Sequence, residues 1–94
     1  PGTLFGGDGQ YEALFRMKVG ENASGRVARI DVVAGERTFE EMEIRGSDFP
    51  LEEAYQEFAL PFETTGEDAL QYRVLYYPKT SLWVDKVEVV PNRR

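Results

Sequence analysis

Residues 11–19, YEALFRMKV, alternate without a break: Tyr11, Ala13, Phe15, Met17 and Val19 fall on one face, and Glu12, Leu14, Arg16 and Lys18 on the other. Successive side chains of an extended backbone point to opposite sides, so a period of two held this long predicts a half-buried strand and leaves no helical face. The same period returns three more times. In residues 26–34, Ala28, Ile30 and Val32 oppose Val27, Arg29, Asp31 and Val33; in residues 55–63, Phe58, Leu60 and Phe62 share a face; in residues 69–77, Leu70, Tyr72, Val74 and Tyr76 oppose Gln71, Arg73, Leu75 and Tyr77. Between these runs lie Gly20 to Gly25, Gly46-Ser47-Asp48, Thr64 to Asp68 and Pro78 to Ser81, which hold the small and polar residues of turns.

Two segments break the simple rule. Residues 36–45, ERTFEEMEIR, place Phe39 and Met42 three apart, as a helix would, while Met42 and Ile44 fit a strand. Glycines flank the segment closely and a helix of that length is marginal alone, so a strand is expected. Residues 82–90 begin with Leu82 and Val84 on one parity and end with Val87 and Val89 on the other. Keeping all four in the core requires a bulge near Asp85-Lys86. Pro61 lacks an N–H for a ladder, so it should point that position outward or sit at a sheet edge. One helical turn is expected at residues 50–54, with Asp48 as its cap and Pro50 in its first turn. Six amphipathic strands separated by turns predict an all-β protein, an antiparallel β-sandwich in which each sheet is packed on one side.

Composition narrows the function. The chain has 94 residues, a single core's worth, and no continuous apolar run able to span a membrane. Eleven Lys and Arg against seventeen Asp and Glu leave a net charge of −6, which repels phosphate backbones and anionic lipids, so nucleic acid and membrane insertion are not expected. Neither histidine nor cysteine is present. That excludes disulfides, the usual zinc and haem ligands, and imidazole or thiolate catalysis. Pro1 in place of Met, with no charged-then-apolar leader, reads as a piece of a longer or processed protein.

The remaining candidates for chemistry are few. The adjacent pairs Glu40-Glu41, Glu52-Glu53 and Glu67-Asp68 point to opposite faces or flank turns, and they read as solvated charge. The cluster Gly6-Gly7-Asp8-Gly9 lacks the strand, helix and lysine of a phosphate cradle. No enzyme is expected from this chain alone. The six Phe, five Tyr and one Trp say more. Arg16, Arg73 and Tyr77, with Leu14 and Leu75, have outward parity, and Trp83 joins them. Aromatic rings beside guanidinium groups suit a sugar, whose C–H faces stack on rings while its hydroxyls take hydrogen bonds. Such a face equally suits the cover of a neighbouring domain. Asp85, at the expected bulge, is either a Ca²⁺ ligand with Asp8 and Glu12 or the partner of an arginine.

The succession GQYEALFRMKV, GRVARIDVV, IRGSDF, YQEFALPFE, LQYRVLYYPKTSLWVDKVEVV resembles the galactose-binding-domain-like β-sandwiches, particularly carbohydrate-binding modules of the family 6, 35 and 36 kind. Its most specific parts are Tyr55-Gln56-Glu57-Phe58 and the closing Leu82-Trp83-Val84-Asp85-Lys86-Val87. The resemblance implies a jelly-roll fold, non-catalytic glycan binding, a secreted or cell-surface bacterial setting, and a structural calcium held in part by Asp85. One or two N-terminal strands of that fold, and the ligands they carry, have no counterpart before Gly9. The expected partners are therefore a polysaccharide or glycan and neighbouring domains of a parent chain. The alternative is a structural or interaction domain without a ligand of its own.

Overall fold

Two three-stranded antiparallel sheets form the fold. The computed structural model describes residues 8–20, 24–65, 69–78 and 81–92. Its elements are β1 (Asp8–Val19), β2 (Arg26–Ala34), β3 (Arg37–Arg45), a 3₁₀ turn (Gly46–Asp48), β4 (Gln56–Thr65), β5 (Gln71–Tyr76) and β6 (Leu82–Pro91). One sheet has the order β4-β1-β6 and the other β3-β2-β5. The all-β sandwich expected from the alternation is the observed architecture. β2 and β3 are joined by a two-residue hairpin in which Gly35 has φ of +60°, a conformation that costs glycine nothing.

The sheets face each other through the residues that the alternation assigns inward. Ala13, Phe15, Met17 and Val19 of β1 meet Ala28, Ile30 and Val32 of β2, all at or below 1% exposure. They are buried most deeply because β1 and β2 are the central strands, covered on both flanks by hydrogen-bonded neighbours. Each of the larger side chains among them, the valines, Ile30, Phe15 and Met17, contributes about 1.5–3 kcal/mol by leaving water. Leu60 and Phe62 of β4, and Ile44 of β3, complete the core, with Phe49 packed edge-on to Phe58 at 4.9 Å. Pro61 sits on β4, at the edge of its sheet, where no ladder bond is asked of it.

Three bulges explain the broken patterns. In β3, Glu40 pairs with Val32 and Thr38 with Val33, leaving Phe39 as the extra residue. Phe39, Met42 and Ile44 therefore all reach the core, and the helix-like spacing of three is the mark of a bulge. In β6, Lys86 pairs with Arg16 and Val84 with Met17, so Asp85 is the extra residue, where the parity break placed it. In β2 the extra residue is Val27, which is fully buried.

Some expectations are corrected. The helical turn is at Gly46–Asp48, not at residues 50–54, because the Asp48 carboxylate accepts a 2.7 Å bond from the backbone N–H of Arg45 and closes the chain behind it. Residues 51–54 bend instead, with the Glu53 N–H donating to the Val19 carbonyl at 2.8 Å. β2 is not one-sided: its outward Asp31 and Val33 are 1% and 3% exposed. The cause is Arg73, directly opposite Asp31 on β5, whose Nε and Nη2 donate to Oδ1 and Oδ2 at 2.9 and 2.8 Å. A buried carboxylate needs both oxygens bonded, and the guanidinium fork supplies both. The bond in turn raises the Arg73 pKa above its ordinary value. Tyr76 has inward parity opposite Ala28 but is 47% exposed, since β3 and β4 close one side of the sandwich while β5 and β6 barely meet on the other. Val84 is 44% exposed for the same reason. Gly6, Gly7 and the pair Glu67-Asp68 lie outside the described residues.

Arg73→Met is expected to lower the urea midpoint clearly by stranding the Asp31 carboxylate. Arg73→Lys should recover only part, since an ammonium cannot reproduce two parallel bonds; the urea midpoint reads both. Burial, and then the nearby Tyr11, raise the pKa of Tyr72 above 10.0. The unfolded chain therefore loses this proton first as pH rises. Stability present below about pH 10 should fall above it, and Tyr72→Phe should flatten that fall in thermal melts at graded pH.

Candidate functional site

The outer face of the β4-β1-β6 sheet carries a row of three side chains at the end where β1 stops. Tyr55, just ahead of β4, lies beside Lys18 of β1, and Lys18 pairs with Trp83 of β6. The Lys18 ammonium lies 5.0 Å from the Tyr55 ring centre and 5.1 Å from that of Trp83. Both rings reach solvent, Tyr55 at 37% and Trp83 at 45% exposure. They stand two strands apart, roughly 9.6 Å at the usual strand spacing. One residue pair further along β1, the Arg16 guanidinium is 5.0 Å from the same Tyr55 ring, and its Nε is 3.1 Å from the Asp85 carboxylate.

The bulge at Asp85 creates this row. Alternation carried back from Val89 and Val87 would turn residue 83 toward the core, and the extra residue reverses that parity so that Trp83 faces out. Gly20 then gives the indole a floor. A methyl group at Gly20 would already touch Cζ3 and Cη2 of Trp83 at 3.7 and 3.8 Å, and the Gly20 N–H donates to the Ser81 carbonyl at 3.1 Å, tying the two strand ends together. The row lies along the outer face of a sheet with both rings reaching solvent, which suits an extended polymer better than a small molecule that needs a cavity. A recess of about 200 Å³ elsewhere on the fold, lined by Gln10, Pro61, Phe62, Glu63 and Asn92, presents no exposed ring, Phe62 being buried.

The four ligand candidates read from the sequence divide between two opposite faces. Arg16 and Trp83 belong to the row just described. Arg73 is on the outer face of the β3-β2-β5 sheet, held by Asp31, and its exchange for a ligand would strand a buried charge. Tyr77, following β5, donates its backbone N–H to Val27 at 2.9 Å and lies 5.2 Å from the guanidinium carbon of Arg26. Parity alone cannot tell the two outer faces apart, because each sheet has one. Tyr55 and Lys18 were not singled out from the sequence, although signals existed. Lys18 shares the outward parity of Arg16, and Tyr55 that of Glu57.

The carboxylates considered for calcium are not brought together. Asp85 faces a guanidinium, which repels a cation and already occupies its oxygen. Glu12 is four residues along β1 from Arg16, roughly 13 Å at the strand rise. Asp8 begins β1, further still along the strand, and its side chain is outside the described residues. Among the described residues no three acidic side chains converge. Glu12 and Asp85 therefore do not converge on one cation position.

No protein-family model, no curated protein and no solved structure matches this chain. Among the described residues no helix is long and apolar enough to cross a membrane.

Melting in millimolar Ca²⁺ and in chelator should give the same midpoint, whereas an ion bound only by the folded state would raise it. Asp85→Asn, which loses a half-exposed ion pair, should cost less than about 1 kcal/mol in urea unfolding.

Proposed function

We propose that this chain is a non-catalytic carbohydrate-binding-like module of a secreted or cell-surface protein, with the outer face of the β4-β1-β6 sheet as its glycan surface. The observation that carries the reading is the row Tyr55, Lys18, Trp83. Two solvent-facing rings flank hydrogen-bond donors on the outer face of a sheet, which is the combination a pyranose chain needs: apolar C–H faces on the rings, hydroxyls on the ammonium and on the Arg16–Asp85 pair. The pair is half-exposed, so swapping its bond for a sugar hydroxyl costs little. The absence of histidine and cysteine from the sequence supports a binding role, or support of an adjacent catalytic domain, over catalysis by this chain.

A second reading has its own observation. Tyr76 and Val84, inward by register yet half-exposed along the open β5/β6 side, favour an interaction domain covered there by another part of a parent protein.

Retardation in gels containing polysaccharides, neutral ones such as xylan, mixed-linkage glucan and galactan and acidic ones such as polygalacturonate, separates the two. Binding to at least one is expected, with Trp83 fluorescence shifting on addition. Trp83→Ala and Tyr55→Ala should each weaken it about tenfold or more, the worth of one stacked ring. No retardation in any of them, together with a Trp83 signal indifferent to sugar, would favour the interaction domain.

A further inference from the structure

Lys18 stands apart from most of the described cations of this acidic chain. Arg16 reaches Asp85, Arg26 and Arg45 reach Glu43, Arg29 reaches Glu41, Arg73 reaches Asp31, and Lys86 reaches Glu88. Lys18 makes no ion pair among the described residues; its ammonium is held between two aromatic faces instead. Ring quadrupoles attract a cation and fix its position, but they neither cancel its charge nor take its N–H donors the way a carboxylate does. A lysine ordinarily loses side-chain freedom when it binds a ligand, and a stem already ordered between rings loses less. Arg16, over the same Tyr55 ring, is offset by Asp85, so the unbalanced charge of the row is that of Lys18. Sites of unpaired, pre-ordered positive charge flanked by stacking surfaces favour an anion carried on a ring.

We infer that the glycan recognised by this face is acidic, bearing a carboxylate or a sulfate ester on its sugar ring, and that Lys18 is the counter-ion of that group. The inference rests on the carbohydrate-binding reading and adds the ligand's charge to it. A neutral sugar would use the rings and one hydrogen bond. An acidic one would set its own negative charge against the Lys18 ammonium, turning that bond into an ion pair on a ligand that the net charge of −6 otherwise repels.

Affinity gels carrying polygalacturonate, its carboxyl-reduced neutral counterpart, or a sulfated galactan test it with the whole chain. At least one acidic polymer should retain the protein about tenfold more strongly than the neutral one, with the advantage shrinking at high salt as surface charge is screened. The arm that retains it identifies carboxylate or sulfate. Lys18→Met should abolish the acidic advantage while leaving the melting midpoint in place, with neutral binding falling only by the loss of one hydroxyl contact, and Lys18→Arg should keep most of the advantage. Equal retention by acidic and neutral polymers would overturn the inference and leave the glycan reading standing. So would an acidic advantage that survives in Lys18→Met. Retention by none of the polymers would overturn the carbohydrate-binding reading itself.

Discussion

The contact between the inward faces of β1 and β2 is the constraint on which the molecule depends. Each is the middle strand of its sheet, each presents an unbroken apolar row, and the two rows bury one another almost completely. The four outer strands are held by ladders to these two and supply rings at the margins, where Phe58, Tyr72, Val87 and Val89 remain partly exposed. A small sandwich has a core only a few side chains deep, so its stability is concentrated in those central rows.

Bulges set what the fold presents to solvent. A strand without them has two faces settled by parity, and one inserted residue exchanges those faces from that point onward. In β3 the insertion recovers Phe39 for the core; in β6 it sends Trp83 outward and leaves Asp85 beside Arg16. The aromatic row on the outer sheet therefore follows from the same irregularity that lets Leu82 and Val87 share the core side. Structure and candidate site have one cause there. The β6 edge also carries that bulge together with Lys86 and Pro91, features that discourage another strand from adding to it.

Charge is arranged differently on the two outer faces. On the β3-β2-β5 sheet the arginines are spent on structure, most clearly where Arg73 closes over Asp31. On the β4-β1-β6 sheet Arg16 and Lys18 sit against rings at the end that holds Tyr55 and Trp83, and of these two, among the described residues, Arg16 alone is tied to a carboxylate. The first arrangement stabilises a buried charge; the second leaves positive charge and aromatic surface facing water together. That contrast is the reason the binding role is proposed for one face.

Strand positions, most of the inward residues, the bulge at Asp85 and a sheet-edge place for Pro61 were legible in the sequence, because period two is a local property of an extended chain and a bulge breaks it locally. The β2 strand was bounded correctly and β1, β3, β4, β5 and β6 nearly so. Pairing was not legible. Nothing in residues 26–34 says that Asp31 will meet Arg73, 42 positions away, or that Tyr77 and Trp83 will end on opposite sides of the molecule. Tyr55, Lys18 and Trp83 come from three strands and become neighbours only through the register of β1 with β4 and β6. Alternation determines which side of its own strand a residue occupies; which sheet that strand joins, and which outer face results, is decided by long-range pairing and the burial of β1 against β2.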